Sequence, residues 1–185
     1  MKHLGTQTLT TQRLILRPFT LEDAPAMYRN WAGDPQVTRF LTWPTHESEE
    51  ASRAIIGSWV PHYTEDNRYE WAIVLKSLGE PIGSLGVVTM DDAVEACEVG
   101  YCIGRRWWRQ GITGEALGAV LQFLFERVGF NRVQARHDVN NPNSGRVMAH
   151  CGMTREGVLR QSARNREGLC DMAVCAILAG EYRKR

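Results

Sequence analysis

The sequence predicts an α/β (α+β) fold with about seven strands and about four helices. Short segments in which polar and apolar residues alternate recur along the 185 residues, and segments with apolar residues at helical spacing separate them. The length suits one hydrophobic core of ordinary size. No internal repeat, low-complexity tract or linker divides the sequence, so we expect residues 1–185 to form a single domain.

Seven segments are predicted to be strands because their residues alternate and turn residues bound them. They are 10–18, 68–76, 81–90, 96–104, 132–139, 154–161 and 169–178. The sequence Ser-Leu-Gly-Glu at 77–80 joins the second and third strands as a hairpin. Residues 162–168 are expected to form an exposed connection between the last two strands.

Capping residues and apolar spacing predict four helices. Thr20 caps the first helix, over 21–31, and Ser48 begins the second, which is charged. The third follows a glycine-containing loop and runs to about residue 129, with apolar residues on one face. The fourth, over 141–152, has an asparagine N-cap, a proline in its first turn and a glycine C-cap.

Composition disfavours several classes of partner. The chain has 22 Lys and Arg residues against 21 Asp and Glu, so it has no overall field for nucleic acid or an anionic membrane. There is no long apolar run and no signal-peptide core, so a cytoplasmic chain is expected. The five cysteines show no metal-ligand spacing, and we expect reduced, packed thiols and no metal site.

A basic loop between the strand over 96–104 and the third helix is the strongest candidate for a binding site. The first amides of a helix lack intrahelical partners and lie at the positive end of its dipole. Gly111 and Gly114 allow a ligand to approach the backbone closely, so a phosphate or pyrophosphate is expected there. Neither the Walker pattern nor the dinucleotide fingerprint is present. Glycines at a helix start also serve as caps or packing sites, so the neighbouring sequence must decide whether this loop binds a phosphate.

Three motifs carry a family resemblance. The segment Trp-Trp-Arg-Gln-Gly-Ile-Thr-Gly-Glu-Ala at 107–116 resembles the acetyl-CoA loop, Gln/Arg-x-x-Gly-x-Gly/Ala, of the Gcn5-related N-acetyltransferases (GNAT). Trp108 and Thr113 depart from that consensus. The opening Thr-x-Arg-Leu-x-Leu-Arg-Pro at 11–18 resembles the RimJ/RimL branch, whose members acetylate ribosomal-protein N-termini. The pattern Asn-x-x-Ser-x-x-Val at 141–147, followed by Gly-Met at 152–153, resembles the fourth helix of the family.

The resemblance implies a GNAT fold with a twisted, mixed, mostly antiparallel sheet. Its fourth and fifth strands, here 96–104 and 132–139, would splay apart at a bulge and admit the pantetheine arm of acetyl-CoA. Gly100 and Gly104 fit such a distortion. The implied function is acetyl-CoA-dependent acetylation of a primary amine, most like a protein N-terminal α-amine. Two alternatives stay open: a small amine such as an amino acid, polyamine or aminoglycoside, or an inactive acyl-CoA-binding regulatory module.

The cofactor contacts follow from the anion site and from the resemblance. Loop and helix amides are predicted to hold the pyrophosphate, arginines to meet the ribose phosphate, and an asparagine to bond the pantetheine arm. The predicted cofactor-binding residues are Arg106, Arg109, Gln110, Gly111, Ile112, Thr113, Gly114, Asn141 and Arg146.

The chemistry requires a proton acceptor, because an α-amine has a pKa of about 8 and attacks only when neutral. Glu98 is the predicted base, by similarity to glutamates on this strand in related histone acetyltransferases; a salt bridge is its alternative reading. An amide near Ile103 is expected to stabilise the oxyanion. Met148 occupies the position of the family's acid tyrosine, and the RimL-like branch has a proposed acid serine at the place of Ser144. The resemblance therefore implies that Ser144 protonates the thiolate; the alternative is that it merely caps its helix.

Acceptor choice is assigned to two variable segments. Residues 32–66 are aromatic and irregular, and residues 162–168 carry several charges. RimL-like enzymes can carry a glutamate base in the second segment, but Ala163 stands there. We expect an amine acceptor as the partner, either a protein N-terminus or a small molecule, with the chain acting as a monomer or homodimer.

Overall fold

The computed structural model describes residues 1–184, which contain eight strands. The strands are β1 (Leu9–Thr10), β2 (Leu14–Arg17), β3 (Glu70–Leu75), β4 (Glu80–Asp91), β5 (Ala96–Ile103), β6 (Arg132–Asp138), β7 (Thr154–Asn165) and β8 (Gly168–Leu178). They form one sheet in the order β1-β2-β3-β4-β5-β6-β8-β7. Within residues 1–184, β5 and β6 run parallel and all other neighbours run antiparallel. The predicted mixed, mostly antiparallel sheet is confirmed.

The helices are α1 (Ala24–Met27), α2 (Glu49–Trp59), α3 (Ile112–Gln122), α4 (Pro142–His150) and α5 (Ala179–Tyr182). Wider helical turns extend α1 to Ala32 and α3 to Val128. Gly129, with φ of 91°, ends the extension of α3 in the left-handed conformation that glycine tolerates. The four predicted helices are confirmed, and α5 is an additional short one. None of the helices within residues 1–184 has the length and apolar character of a membrane span.

Two boundaries predicted from the sequence are wrong. The first strand is interrupted at 11–13, where the chain turns so that β1 pairs with β2. The exposed connection over 162–168 is instead mostly strand, and β7 and β8 leave a turn of two residues, Arg166 and Glu167. Alternation ends early in β7 because the pairing with β8 shifts between Leu159 and Ala163. The prediction from periodicity therefore ended the strand at a position where β7 has a bulge and continues.

The helices cover both faces of the sheet. On the α3/α4 face, Val99 and Ile103 of β5 pack in a cluster with residues of α3 and α4. On the α1/α2 face, Cys102 packs in a second cluster with residues of α1 and α2. Period-two alternation of β5 therefore places Glu98, Gly100 and Cys102 on the α1/α2 face, as the sequence predicted.

The two central strands separate after a short contact. β5 and β6 pair only over Ala96–Glu98 and Arg132–Gln134. Beyond that point β5 stays paired with β4 up to Ile103, and β6 stays paired with β8 up to Asp138. The predicted splay is confirmed. The bulge beside it lies in β4, where the register with β5 shifts between Val87 and Thr89.

Glu115, in the first turn of α3, connects this helix to the turn between β1 and β2. Its Oε1 accepts hydrogen bonds from Thr11 Oγ1 at 2.6 Å and from the amide of Arg13 at 2.8 Å. Its Oε2 accepts from Arg13 Nε at 2.6 Å. Burial raises the pKa of this carboxyl, but the hydrogen bonds outweigh burial and the net pKa is lowered. The start of α3 is thus fixed by residues about a hundred positions earlier in the chain.

Glu115→Gln should lower the free energy of unfolding by about 1–3 kcal/mol at pH 7, because charge-assisted bonds to a half-buried carboxylate are lost. The folded pKa is lowered, so this stabilisation is present above the ordinary carboxyl pKa and is lost as pH falls through the folded value. Urea denaturation at pH 7 and pH 3 measures both effects. Glu49→Gln is the control, since its exposed Arg53 partner lies 3.8 Å away and should contribute less than about 0.5 kcal/mol. Equal losses in the two variants would contradict the role of Glu115.

Candidate active site

The gap between β5 and β6 is bordered by the backbone of β5. The amide of Gly104 donates to Ile82 O at 2.9 Å, and Gly83 faces Ile103 across the β4–β5 ladder. In antiparallel geometry this makes Gly83 and Ile103 a pair that does not exchange hydrogen bonds, so the Ile103 amide points away from β4. It therefore points toward the gap, as an oxyanion donor must. Its catalytic role stays a prediction.

The N-terminus of α3 presents its first amides without a capping side chain. Gly111 is the N-cap residue, with φ of 73° and ψ of 1°, and makes no side-chain cap bond. Arg109 is left-handed as well, with φ of 60°. Amides around such residues form a concave donor surface that suits anions. The amides of Ile112, Thr113 and Gly114 therefore fit a pyrophosphate.

Hydrogen bonds fix the shape of the loop that precedes α3. Trp108 Nε1 donates to Ile103 O at 2.9 Å, which joins the loop to the end of β5. Gln110 Nε2 donates to Arg106 O at 2.9 Å, and Gln110 O accepts from Arg13 Nη1 at 2.8 Å. The side chain of Gln110, predicted to contact the cofactor, is thus used within the loop itself.

The arginines around this loop differ in what they already bind. Arg105 Nε lies 3.0 Å from Asp34 Oδ2 in an ion pair. The Arg106 guanidinium lies 5.7 Å from the ring centroid of Trp107, and both Arg106 and Arg109 are exposed. Together with the helix amides, these cations supply the chemistry that a pyrophosphate and a ribose phosphate require. The residues present therefore fit acetyl-CoA.

The predicted contacts from α4 have a less direct geometry. Asn141 is the N-cap of α4, half-buried beside the end of β6. Arg146 Nη1 donates to Asn143 Oδ1 at 3.1 Å. Arg146 also borders a cavity of about 360 Å³ together with His137 and Arg155. The assignments of Asn141 to the pantetheine arm and of Arg146 to the ribose phosphate stay predictions.

Glu98 lies where β5 and β6 begin to separate, and it is only 8% exposed. Its Oε1 accepts from Arg136 Nε at 2.8 Å and its Oε2 from Gln134 Nε2 at 2.9 Å. To take a proton from an amine, Glu98 would have to compete with one of these donors. The ion pair that the sequence left as the alternative is present, and the role of Glu98 as a base stays a prediction.

Ser144 has a partner that the sequence reasoning did not single out. Tyr101 Oη lies 2.9 Å from Ser144 O and 3.0 Å from Ser144 Oγ. A phenol carries one proton, so a bond to the carbonyl leaves the Ser144 hydroxyl as donor to Tyr101. Burial raises the pKa of Tyr101, which is therefore a neutral phenol at pH 7. The alternation of β5 signalled that Tyr101 shares a face with Val99 and Ile103, but not that this face meets α4.

The two segments predicted to choose the acceptor lie together. Arg39 Nε is 2.7 Å from Glu167 Oε1, and Arg166 Nη1 donates to Thr45 Oγ1 at 2.7 Å. Between the segments lies an open cavity of about 270 Å³, here called the acceptor cleft. Its lining residues are Leu41, Thr42, Trp43, Pro44, Arg164, Asn165 and Arg166. Asn165 Nδ2 donates to Asp138 Oδ2 at 2.6 Å, which attaches the cleft to the end of β6 and so to the gap.

In the part of the chain that the structure describes, neither the cysteines nor a group of metal ligands forms a second reactive centre. Cys97, Cys102, Cys151, Cys170 and Cys175 are buried and form no disulfide. Burial raises the pKa of Cys97 and of Cys102 to about 12, so both are thiols at neutral pH. Within residues 1–184, no three His, Cys, Asp or Glu side chains are arranged to hold a metal ion.

Known proteins share both sequence and fold with this chain. A family model described as an acetyltransferase (GNAT) domain matches residues 13–154. The uncharacterised N-acetyltransferase YoaA of Bacillus subtilis (strain 168) is 33% identical over 153 residues, which are 83% of this chain and 86% of the relative. The ribosomal protein uS5 alanine N-acetyltransferase of Escherichia coli (strain K12) is 31% identical over 77 residues, 40% of each chain.

A solved structure shows the same fold. The microcin C7 self-immunity acetyltransferase MccE, in complex with acetyl-CoA and AMP, superposes with a TM-score of 0.82. The superposition covers 91% of this chain and 93% of MccE at 19% sequence identity, so the similarity is one of fold.

A proline at position 113 tests the anion site, because proline lacks the amide proton yet is tolerated in the first turn of a helix. Thr113→Pro should weaken acetyl-CoA binding about tenfold or more, since a hydrogen bond to a charged group contributes about 1.5–3 kcal/mol. Isothermal titration calorimetry measures the affinity. Thr113→Ala keeps the amide and should bind like the wild type. Equal affinities of the two variants, with α3 intact by circular dichroism, would contradict the site.

Proposed function

The chain belongs to the GNAT family of acetyltransferases, and from that premise we propose that it acetylates a primary amine by direct attack while amine and acetyl-CoA are both bound. Membership rests on the family match over residues 13–154. Acetyl-CoA is the acetyl donor of this family. The direct attack and the class of amine are the proposal, and the favoured acceptor is a protein N-terminal α-amine.

The observation that carries this proposal is the separation of β5 from β6. After the pairs formed by Ala96–Glu98 and Arg132–Gln134, the strands leave a gap with backbone donors on the β5 side. The loop that follows β5 leads directly into the amides at the start of α3. A cofactor with a polyphosphate at one end and a thin arm at the other matches this arrangement of an anion site beside a narrow gap.

Acetyl-CoA, when bound, supplies the thioester carbonyl that the amine attacks. The chain's own part is to hold and orient both reactants. The Ile103 amide offers a fixed donor for the carbonyl oxygen. The Ser144 hydroxyl, held by Tyr101, is the proposed source of the proton for the departing thiolate. Because a thiol of this kind has a pKa of about 8.5, that proton is needed less than the removal of the proton from the amine.

The acceptor cleft favours some amines over others. Two guanidinium groups, of Arg164 and Arg166, border it together with Trp43, and its lining residues include no carboxylate. A polyamine or aminoglycoside carries several positive charges, so this cleft would repel it. An open, partly apolar cleft suits a peptide end. The partial similarity to the ribosomal protein uS5 alanine N-acetyltransferase supports a protein acceptor.

A thiol-release assay with a panel of amines tests the proposed function. The panel contains a peptide with a free N-terminus, the same peptide blocked at its N-terminus but carrying a lysine, an amino acid and a polyamine. The free N-terminus should be the best substrate. Arg166→Ala should raise the KM for the peptide about tenfold, as loss of one polar contact does, and leave the KM for acetyl-CoA unchanged.

Arg160→Ala is the matched control, because Arg160 is an exposed arginine on β7 outside the lining of the acceptor cleft. It should not change either KM. Preference for the polyamine would overturn the choice of acceptor. Tight binding of acetyl-CoA without turnover of any amine would favour the inactive regulatory module and overturn the proposed function itself.

A further inference from the structure

We infer that the carboxylate of Glu70 takes the proton from the acceptor amine. The inference rests on the proposed function, since it names the proton acceptor of the same reaction. Glu70 is the first residue of β3, two strands away from the β5 edge of the gap. Nothing in its sequence context marks it, because it lies next to the buried strand residues that fill the core.

The pairing of β3, β4 and β5 places Glu70 at the same height in the sheet as the start of the gap between β5 and β6. Glu70 is opposite Gly86 of β4, and Gly86 is opposite Gly100 of β5. Adjacent strands lie about 4.8 Å apart, so the Cα atoms of Glu70 and Gly100 are separated by about 10 Å. β3 residues Ala72 and Val74 belong to the cluster on the α1/α2 face, so alternation places Glu70 on that face too, the same one as Glu98.

Gly86 makes room for the Glu70 carboxylate. A Cβ at position 86 would lie 2.8 Å from Glu70 Cδ, so the Glu70 side chain extends directly over Gly86, toward β5. The next position, Gly100, also lacks a side chain, and a Cβ there would approach Val88 Cγ2 at 3.0 Å. Val88 is the extra residue of the β4 bulge and is 63% exposed. Glu70 thus lies over Gly86, and Val88 lies over the neighbouring Gly100 on the same face of the sheet.

The Glu70 carboxylate has no partner that would prevent it from accepting a proton. No hydrogen bond joins either of its oxygens to another group in residues 1–184. The ionisable groups facing it are Arg68, in the preceding turn, and Tyr63, whose hydroxyl donates to Glu70 O at 3.1 Å. Farther along the same face is the ion pair of Glu98 with Arg136.

The protonation equilibrium of Glu70 suits the task. Burial raises the pKa of Glu70 to about 7, and the nearby charge of Arg68 opposes that rise. A base works best when its pKa lies near the working pH and near that of its substrate, and an α-amine has a pKa of about 8. Glu98 offers the contrasting case, because both of its oxygens already accept hydrogen bonds from β6.

The step balances in protons and electrons. The acceptor enters as an ammonium group and gives one proton to the Glu70 carboxylate through intervening water molecules. The freed lone pair of the nitrogen then forms the N–C bond with the thioester carbonyl carbon. The C–S bond breaks, and its electron pair leaves with the thiolate, which takes up a proton from the Ser144 hydroxyl or from water. The second amine proton restores the Ser144 hydroxyl, or the water molecule, that protonated the thiolate, and the proton on Glu70 passes to solvent.

The experiment measures kcat/KM from pH 6 to pH 9 for wild type, Glu70→Gln, Glu70→Asp and Glu98→Gln, with acetyl-CoA and the free-N-terminus peptide. Glu70→Gln should be slower by about a hundredfold near pH 7, the range of general-base catalysis. That deficit should shrink by about tenfold or more at pH 9, where the amine is largely neutral without help. Glu70→Asp should recover part of the rate. Glu98→Gln should lack this pH-dependent deficit.

A second readout is independent of activity. Because the folded pKa of Glu70 lies above its ordinary value of 4.5, the wild-type protein loses stability as pH rises from that value toward 7. Glu70→Gln cannot ionise and should show a higher thermal midpoint than wild type at pH 8 but not at pH 5. Circular dichroism melts measure the midpoints. Equal midpoints of the two proteins at pH 8 would show that Glu70 does not titrate in this way and would overturn the inference.

The outcomes separate this inference from the proposed function. If the wild-type protein acetylates no amine in the panel, the proposed function is contradicted. A wild-type protein that turns over, with Glu70→Gln showing the same rate at every pH or a deficit that does not change with pH, overturns only the inference. A deficit that shrinks with pH in Glu98→Gln and not in Glu70→Gln would assign the proton to Glu98 instead.

Discussion

The site depends on the early separation of two parallel strands. β5 and β6 share three pairs of residues and then each follows a different antiparallel partner, β4 for one and β8 for the other. Backbone amides on the open side of β5 then have no strand to pair with, and a buried amide without a partner is costly. A ligand that accepts hydrogen bonds along this edge therefore gains from donors that the sheet already holds in place. The pantetheine arm of acetyl-CoA is such a ligand.

Contacts between residues far apart in the chain fix the positions of the anion site, the gap and the acceptor cleft. Glu115 joins the start of α3 to the turn between β1 and β2, and Trp108 joins the preceding loop to Ile103. The ion pair between Glu98 and Arg136 lies where the strands begin to diverge. On the acceptor side, Arg166 and Thr45 bring together segments that are 121 residues apart. The anion site, the gap and the acceptor cleft are thereby fixed relative to one another by polar bonds as well as by the core.

What could be predicted from the sequence was mostly local. The four predicted helices followed from caps and apolar spacing, and the left-handed Gly111 and Gly129 lie at the two ends of α3 and its extension. The splay came from resemblance to a family, since no local pattern marks it. The turn at 11–13 was missed because its stabilising partner, Glu115, lies far along the chain. Tyr101 and Glu70 were missed for the same reason: their importance comes from Ser144 and Gly86, which only the folded sheet brings near.

Hydrogen–deuterium exchange with and without acetyl-CoA, read at single-amide resolution, shows whether the gap between β5 and β6 holds the cofactor. Acetyl-CoA should slow exchange at the amides of Ile103, Ile112, Thr113 and Gly114, which border the gap and begin α3. The amides of β7, at the far edge of the sheet, should exchange as before. Unchanged exchange at Ile103 and at the start of α3 under saturating acetyl-CoA would contradict the assignment of the gap as the acetyl-CoA site.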